Sequence, residues 1–423
     1  MVTGRNYGSV APRFYNCTFR NNRAASRAGG LYRNGGSFEE TVNDLWQCRF
    51  IGNYAYHQGG ALYYEEGPGI DRFEIVDCVF ENNWTTQGTG STMMWFGSRS
   101  DESSSLLVDS CFFNSELEVS IPGPDEYVMI FIVNSGSSIQ NVTFRNSVFE
   151  GFFPLKNLVL LDNVLPYVGP PALFILEKIK LDNYYSNIAS VGTQELVVKN
   201  IRIGDNVNKM GLGFHCNELT FNGIMLNGGN MLNDGAVVSV LGLVGFDDDN
   251  HLFVKMSNLH VLWDSSIYSG AFMNVGKVPL MDDLDIQIVN SLFDGFSHDI
   301  LKFDSIVPVR FYNTSILPRL SAFDTLPYHL THCYVGDTTG VSEVLEWGPG
   351  NIVGGEAGFV DSVGGDFHLL PCSPLRDAGY TAVVQQLGLA TDLDGEARVQ
   401  GAAVDIGPYE HAALRLELDS VWG

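Results

Sequence analysis

The sequence predicts an all-β fold, built as a parallel β-helix in which short strands stack from one repeat to the next. Three observations predict it. A Cys-x-Phe motif recurs about every 30 residues, Gly (46 residues) and Asn (31 residues) are abundant, and no segment shows a helical period. Glycine and asparagine favour turns and side-chain amide ladders over helices. With 45% hydrophobic and 17% charged residues, the chain has the composition of a folded protein with a large core.

The repeat is clearest in the first 115 residues. Its four copies of the motif are Cys17-Thr18-Phe19, Cys48-Arg49-Phe50, Cys78-Val79-Phe80 and Cys111-Phe112-Phe113, at intervals of 31, 30 and 33 residues. A second echo, Gly29-Gly30-Leu31 and Gly59-Gly60-Ala61, is 30 residues apart. Each unit contains short alternating runs broken by Gly or Asn turns, which is typical of one all-β coil. A single coil cannot bury its inward face, whereas stacked coils can.

Later units keep an apolar alternation followed by a polar turn. We expect strands at 141–146, 196–203, 219–224, 254–259, 286–293 and 309–316, with a recurring Asn at 141, 200, 222, 258, 290 and 313. The shorter Asn intervals, 22 and 23 residues, suit three strands of four or five residues with tight turns. The longer intervals, 36 and 32 residues, leave room for loops.

These motifs resemble those of bacterial right-handed parallel β-helix repeat proteins. Phe19/Asn22, Phe50/Asn53 and Phe80/Asn83, with the Gly-Gly pairs, are similar to the repeats of polymorphic outer-membrane proteins. The segments 366–379, 391–395 and 404–410 are similar to the C-terminus of choice-of-anchor Q domain proteins. The resemblance implies a single-stranded right-handed solenoid at the bacterial cell surface or outside the cell. No recognisable anchor follows Glu410, so we expect one to have been removed or to lie beyond this sequence.

We therefore predict three segments: a lead-in at 1–13, a parallel β-helix at 14–365 and a C-terminal cap at 366–423, where Leu414, Leu416 and Leu418 alternate as in an edge strand. Met1 to Arg13 has no signal-peptide pattern, which suggests a mature or truncated chain. No apolar run approaches the roughly 20 residues of a membrane span. The formal net charge of −25 excludes a generic nucleic-acid binder.

Cysteine and asparagine have mainly structural interpretations. With no Cys-x-x-Cys pair, the repeated Cys is expected to be a buried, reduced residue filling the coil, although a rung-to-rung disulfide or a metal site stays open. Asn16, Asn83, Asn141 and Asn313 satisfy the N-glycosylation pattern. We favour a structural role over glycosylation. An Asn at a coil corner accepts a left-handed backbone and hydrogen-bonds its counterpart in the next rung.

An acidic cluster is the best enzymatic lead. Asp247, Asp248 and Asp249 interrupt the β pattern before His251, and Asp283 and Asp285 follow 35 residues later, so both groups could project from the same side of neighbouring coils. They could bind calcium as in pectate-lyase-type enzymes, or act as the acid and base of a glycosidase. A lyase also needs a basic residue, and only histidine stands nearby in the sequence.

Other candidate ligands are weaker. His298, Asp299, His329, His332 and Cys333 lack metal-site spacing. Asp392-Leu393-Asp394-Gly395 starts like a calcium loop, but Ala403 occupies the place of the bidentate Glu, so we interpret it as part of the cap.

The favoured function is a secreted or cell-surface structural or adhesive protein, without enzymatic activity, that binds polysaccharide, other surface proteins or further copies of itself. The alternative is a polysaccharide lyase or glycosidase that uses the acidic cluster, with calcium as its possible cofactor. An open first coil would favour head-to-tail filaments, and we expect such association to tighten with salt or divalent cations because the chain carries net charge −25.

Overall fold

The computed structural model describes most of the repeat region and the C-terminal segment. The described residues are 13–34, 41–65, 71–86, 92–97, 104–115, 128–134, 139–151, 157–163, 173–182, 187–192, 195–203, 212–215, 218–228, 238–240, 251–263, 273–275, 283–295, 301–303, 309–319, 328–338 and 345–411. Predictions for residues 1–12 and 412–423 lie outside these ranges.

The described residues form short strands and one helix. The first strands are β1 (Arg13–Tyr15), β2 (Thr18–Arg20), β3 (Arg23–Ala24), β4 (Leu31–Asn34), β5 (Thr41–Trp46), β6 (Arg49–Ile51), β7 (Tyr54–Ala55), β8 (Leu62–Glu65), β9 (Asp71–Val76), β10 (Val79–Glu81), β11 (Trp84–Thr85), β12 (Met93–Gly97) and β13 (Ser104–Asp109). The middle strands are β14 (Phe112–Ser115), β15 (Val128–Asn134), β16 (Ile139–Arg145), β17 (Val148–Gly151), β18 (Asn157–Asn163), β19 (Leu173–Glu177), β20 (Lys180–Asp182), β21 (Asn187–Gly192), β22 (Glu195–Ile203), β23 (Leu212–His215), β24 (Glu218–Gly228) and β25 (Val238–Val240). The last elements are β26 (His251–Trp263), β27 (Met273–Val275), β28 (Asp283–Val289), β29 (Leu292–Asp294), β30 (Leu301–Phe303), β31 (Val309–Tyr312), β32 (Ser315–Arg319), β33 (Tyr328–Thr331), β34 (Tyr334–Asp337), β35 (Leu345–Trp347), β36 (Ile352–Val353), β37 (Phe359–Asp361), β38 (Asp366–Leu369) and helix α1 (Thr381–Gln386).

The strands pair in parallel with the equivalent strand of the next repeat, forming rows. Row A runs from β1 and β5 to β33 and β35, row B from β2 and β6 to β34 and β36, and row C from β4 and β8 to β27 and β30. The long strands β22, β24 and β26 belong to both row A and row B. A short row joins β3, β7 and β11. The predicted all-β class and the parallel stacking of repeats are confirmed.

The predicted register is confirmed in row B. Phe19, Phe50, Phe80 and Phe113 are direct partners in adjacent strands, and Phe149 continues the line. Their rings stack with centroids 4.7–5.0 Å apart and planes within 9° of parallel. Phe50, Phe80, Phe113 and Phe149 are buried, so this ladder forms part of the core in the first repeats, and Phe19 at its end is partly exposed.

A single left-handed residue makes the turn from row A to row B in every described repeat. These residues, with φ between 50° and 73°, are Asn16, Gln47, Asp77, Ser110, Asn146, Lys178, Asn200, Gly223, Asn258, Asn290, Asn313, His332 and Gly350. Asparagine is the commonest choice because it tolerates this backbone better than other residues with a side chain. The predicted left-handed Asn is therefore confirmed at 200, 258, 290 and 313. It is wrong at 141 and 222, and Gly223 has the left-handed backbone after Asn222.

The residue after this turn explains the repeated cysteine. Cys48, Ser147 and Thr314 each direct a sulfur or hydroxyl to the carbonyl oxygen two residues earlier, at 3.3, 2.8 and 2.9 Å. The same group of the next repeat accepts a backbone N–H, as in Cys48 N to Cys78 Sγ at 3.4 Å. Cysteine here is a small buried hydrogen-bonding residue, interchangeable with Ser or Thr.

A second Asn ladder follows row B. The side chain of Asn53 donates to Asn83 Oδ1 at 2.9 Å and to the Phe19 carbonyl at 2.9 Å, while its own Oδ1 accepts from Asn22. Asn22, Asn53 and Asn83 thus carry the predicted rung-to-rung bonds, whereas the left-handed position beside them is taken by Asn21, Gly52 and Asn82. The left-handed backbone and the hydrogen bond to the next repeat were predicted for a single Asn, but here two neighbouring residues provide them.

The C-terminal residues 356–411 pack along the outer side of several repeats, from β26 to β36. Val383 and Val384 of α1 pack on Val289, and Leu375 and Ile406 pack on Tyr334. In row A the outward position next to the turn is aromatic in the first repeats (Tyr15, Trp46), charged in later ones (Asp109, Arg145) and apolar at Val289. These apolar outward positions are buried by the C-terminal segment, which is the physical reason for its location.

Candidate functional site

The predicted acidic cluster is described only in part. Asp247, Asp248 and Asp249 lie outside the described residues, while Asp283 and Asp285 lie on β28. His251 pairs directly with Asp283, so the two segments are on adjacent strands. The site itself stays a prediction.

Beside this cluster lies a basic residue, Arg310, that is too distant in the sequence to have been predicted there. Arg310 Nη1 donates to Asp285 Oδ1 at 2.5 Å, and Gln287 Nε2 donates to Asp285 Oδ2 at 3.0 Å. Arg310 lies on β31, 25 residues further along the chain but only one strand away. The pair is partly exposed on the outside of row A. Only the register of the repeats brings these residues together.

Similar charge pairs occur elsewhere on the outer face. Arg13 pairs with Asp44 at 3.1 Å, and Arg145 pairs with Asp109 at 2.7 Å. Burial acts to raise the pKa of Asp109, but hydrogen bonds from Asn146 and Arg145 outweigh it and hold that pKa below the usual range. Pairs between adjacent repeats are therefore a general feature of this surface, and Asp285–Arg310 is one of them.

Exposed or partly exposed aromatic side chains form two pairs between adjacent repeats. Tyr15 and Trp46 are direct partners on the outside of row A, 56% and 37% exposed, with ring centroids 6.4 Å apart. Tyr54 and Trp84 are partners in the short row, with centroids 4.2 Å apart. Arg23 occupies the next place in the same line and is exposed. Large aromatic rings accessible on the outer face are candidates for binding.

A second polar group lies where the C-terminal segment meets β26. His260 on β26 is buried, and its Nδ1 is 2.6 Å from the Tyr409 hydroxyl. His368 on β38 lies between two carboxylates, with Nδ1 2.6 Å from Asp366 and Nε2 2.6 Å from Asp394. The rings of His368 and Tyr409 are 4.3 Å apart, which connects the two histidines through the tyrosine.

The two histidines differ in protonation. Burial, together with the charge of His368, lowers the pKa of His260 to about 4, so it is neutral at neutral pH. For His368, burial acts to lower the pKa, but the hydrogen bonds to Asp394 and Asp366 outweigh it and raise that pKa above the usual range. His368 lies between the carboxylates of Asp366 and Asp394, and when protonated it ties β38 to the 392–396 loop.

The loop that starts like a calcium site uses its first carboxylate on the backbone. Asp392 Oδ1 accepts the N–H groups of Asp394 and Glu396 at 3.0 and 2.8 Å, and Oδ2 accepts that of Glu410 at 2.9 Å. This geometry supports the interpretation as a structural element. In the described ranges no group of three or more His, Cys, Asp or Glu side chains is arranged to hold a metal ion.

Arg398 and Glu410 form the buried centre of the same element. Arg398 Nε is 3.3 Å from Glu410 Oε1, and Arg398 Nη2 donates to the Gly407 carbonyl. Burial raises the pKa of Glu410 to about 8 and lowers that of Arg398. Neither residue was singled out as an ion pair by the sequence, because Arg398 lies between turn segments without any periodic signal.

The remaining candidate ligands do not converge. His329 Nδ1 is 2.8 Å from Glu346, His332 Nδ1 is 2.8 Å from the Ala378 carbonyl, and Cys333 is buried in the core. His298 and Asp299 lie outside the described residues. Among the glycosylation patterns, Asn83 and Asn313 are buried and only Asn16 and Asn141 are exposed. Cys17, Cys48, Cys78, Cys111 and Cys333 are free thiols, mostly buried, as expected, and Cys372 is free and exposed.

Comparison with protein-family models, with curated proteins and with solved structures finds no match to this chain. Among the described residues, no helix is both long enough and apolar enough to cross a membrane.

Proposed function

We propose that the chain is a right-handed, single-stranded parallel β-helix that acts as a secreted or cell-surface scaffold of a bacterium, adhesive and non-enzymatic, and that it binds polysaccharide. The three parallel rows, the one-residue turns repeated between rows A and B, and the continuous Phe ladder support the architecture. Such a rod holds surface side chains at a fixed spacing of about 4.8 Å per repeat.

The observation that carries the proposal is the presence of two aromatic pairs on adjacent repeats. Tyr15 and Trp46 are exposed, and Tyr54 and Trp84 are partly exposed, so all four rings are accessible on the outside of the repeats. The apolar face of a sugar ring packs on an aromatic face, and Tyr and Trp lose little conformational entropy on binding. Arg23, in line with Tyr54 and Trp84, is placed to pair with an acidic substituent of the glycan.

Affinity electrophoresis through gels that contain neutral or acidic polysaccharides tests this proposal. We expect at least one polymer to retard the wild type, and we expect Trp46→Ala combined with Trp84→Ala to weaken binding at least tenfold, equivalent to about 1.4 kcal/mol. Tyr380→Ala is the matched control, because Tyr380 is 43% exposed but lies on the C-terminal segment, away from both pairs. Equal loss in the control, or no retardation by any polymer, would contradict the proposal.

One observation favours the second candidate, a polysaccharide lyase or glycosidase. Arg310 supplies the basic group beside Asp285 that a lyase requires. A polysaccharide-degradation screen with and without calcium tests it. Turnover that is lost in both Asp248→Ala and Asp285→Ala, but kept in Asp361→Ala, would favour the enzyme over the scaffold.

A further inference from the structure

The core ladders are open at both ends of the described repeats. In the middle of the molecule, each inward side chain is covered by its equivalents in the two neighbouring repeats. Among the described residues, the end repeats lack one of these neighbours. Their inward side chains are more exposed than the equivalent side chains one repeat further in.

At the upstream end, the exposed residues are Phe14 in row A and Phe19 in row B. Both are partly exposed, whereas their direct partners Leu45 and Phe50 are buried. Cys17 shows the same contrast with the buried Cys48. Strands β1 and β2 have parallel partners only on the downstream side among the described strands.

At the downstream end, Trp347 and Val353 occupy the same two ladder positions. Trp347 is the partner of the buried Leu330 in row A, and Val353 is the partner of the buried Val335 in row B. Yet Trp347 is 45% and Val353 is 53% exposed. Two apolar residues at core positions thus face solvent at this end.

The two ends carry opposite charge. The described residues 13–34 contain five Arg and no Asp or Glu, in a chain with net charge −25. The described residues 328–338 and 345–375 contain five Asp or Glu and no Lys or Arg. Arg20, Arg23 and Arg27 are exposed near the upstream end, and Glu346 is exposed at the downstream end.

We propose that a second copy of this chain docks end to end, with β35 and β36 of one copy continuing rows A and B onto β1 and β2 of the next. In that arrangement Trp347 stacks on Phe14 and Val353 packs on Phe19, so both core ladders continue across the junction. All strands of rows A and B run in the same direction, as parallel pairing across the junction requires. The contact joins two different surfaces, so it produces filaments or rings instead of a closed two-fold dimer. The inference rests on the β-helix architecture proposed above.

Sedimentation velocity over a concentration series at about 0.15 M salt tests the docking, because the Debye length there is about 8 Å and the repulsion between the net charges is screened while contacts at the junction persist. We expect the wild type to form species of two or more copies whose fraction rises with concentration. In electron micrographs these species are longer, and not wider, than the single rod. A wild type that stays monomeric up to about 100 μM, near the weak end of specific association, would overturn the proposal.

Two blocked variants identify the junction. Arg20→Glu places an acid at the upstream end, and Trp347→Glu places one at the downstream end; both positions are exposed, so we expect both variants to fold. Each variant alone should be monomeric. Mixed in equal amounts they should form a one-to-one dimer and nothing larger, because only one wild-type junction is available and the other junction joins two acids.

Val399→Glu is the matched control, since Val399 is 45% exposed on the C-terminal segment and the change adds the same charge. It should assemble like the wild type. Assembly that survives both blocked variants, or a mixture that forms no dimer, would overturn end-to-end docking. The polysaccharide test is independent: a monomeric wild type that still binds polysaccharide contradicts only the docking, and a filament that binds none contradicts only the adhesive function.

Discussion

Ala28 is the residue with the least favourable backbone in the first repeats. It is buried and has φ 56°, while the equivalent residue of the next repeat is Gly59 with φ 66°. The left-handed conformation costs a residue with a Cβ about 1–2 kcal/mol, and glycine does not incur that cost. The predicted alignment of Gly29-Gly30 with Gly59-Gly60 is therefore wrong by one residue, because Leu31 pairs with Leu62 and Gly29-Gly30 lies beside Gly60-Ala61. The left-handed position is Gly59 in the second copy and Ala28 in the first, which meets it only with strain.

Exchanging these two residues tests the requirement. We expect Ala28→Gly to stabilise the protein by about 0.5–1 kcal/mol after the larger chain entropy of glycine in the unfolded state is subtracted. Gly59→Ala should destabilise it by more than about 1–2 kcal/mol, because a Cβ there would also lie 2.5 Å from the Leu62 carbonyl oxygen. Urea denaturation followed by circular dichroism measures both. A destabilising Ala28→Gly would show that the backbone at 28 is not left-handed.

Because His368 ties β38 to the 392–396 loop, we expect the stability of the C-terminal segment to depend on pH. Asp394 and Asp366 raise the pKa of His368 in the folded protein. The stabilisation that His368 gives the folded state is therefore fully present below its pKa in the unfolded chain, about 6.5, and is lost as the pH rises through the higher pKa of the folded state. We expect the melting temperature of the wild type to exceed that of His368→Gln at pH 5.5, and the difference to shrink above neutrality. His57→Gln, which changes a histidine far from this segment, serves as the control. A difference that grows with pH would contradict the assignment.

At the scale of elements, the Phe ladder is the main source of cohesion between repeats. Phe80 is stacked on both faces, by Phe50 and Phe113, whereas Phe19 has a described ring partner on its downstream face and an edge contact with Phe14. A cavity in the middle of the ladder removes contacts with two repeats, and one at the end removes contacts with fewer.

We therefore expect Phe80→Ala to cost about 3–5 kcal/mol and Phe19→Ala clearly less. Native-state hydrogen exchange at the amides of Val79 and Trp84, compared with those of Thr18 and Arg20, reports the loss at each repeat. Costs of equal size would mean that the first repeat is as enclosed as the third, and would count against an open upstream end.

Features that recur with the repeat period could be predicted from the sequence, whereas contacts between residues distant in the sequence could not. The repeat period located the strands of rows A and B, because Cys-x-Phe and the following Asn recur at fixed intervals. The ion pair of Asp285 with Arg310 could not be predicted, since it depends on a register in which residues 25 apart become neighbours. The contact of His260 with Tyr409 spans 149 residues and has no periodic signal. An apolar outward residue such as Val289 does not by itself predict the packing of the C-terminal segment, because Tyr15 and Trp46 occupy the same position and are exposed.

At the scale of the whole molecule, the proposed β-helix predicts that the repeats stack with a constant rise. Twelve consecutive register pairs connect Arg13 on β1 to Glu346 on β35 along the outside of row A, and Lys255 on β26 is the eighth partner in that line. At about 4.8 Å per pair, the distance is about 38 Å from residue 13 to 255, about 19 Å from 255 to 346 and about 58 Å from 13 to 346.

Pulsed electron–electron double resonance measures the distances between spin labels at these three pairs of positions and tests the stacking most directly. The labels are attached through genetically incorporated reactive residues, so that the native thiols are not modified, and the labelled protein is diluted with unlabelled protein to suppress distances between copies. The rod predicts three narrow distributions near these values, with the two shorter distances adding up to the longest. Distances between 13 and 346 well below that sum, or broad distributions for all three pairs, would contradict the stacked architecture.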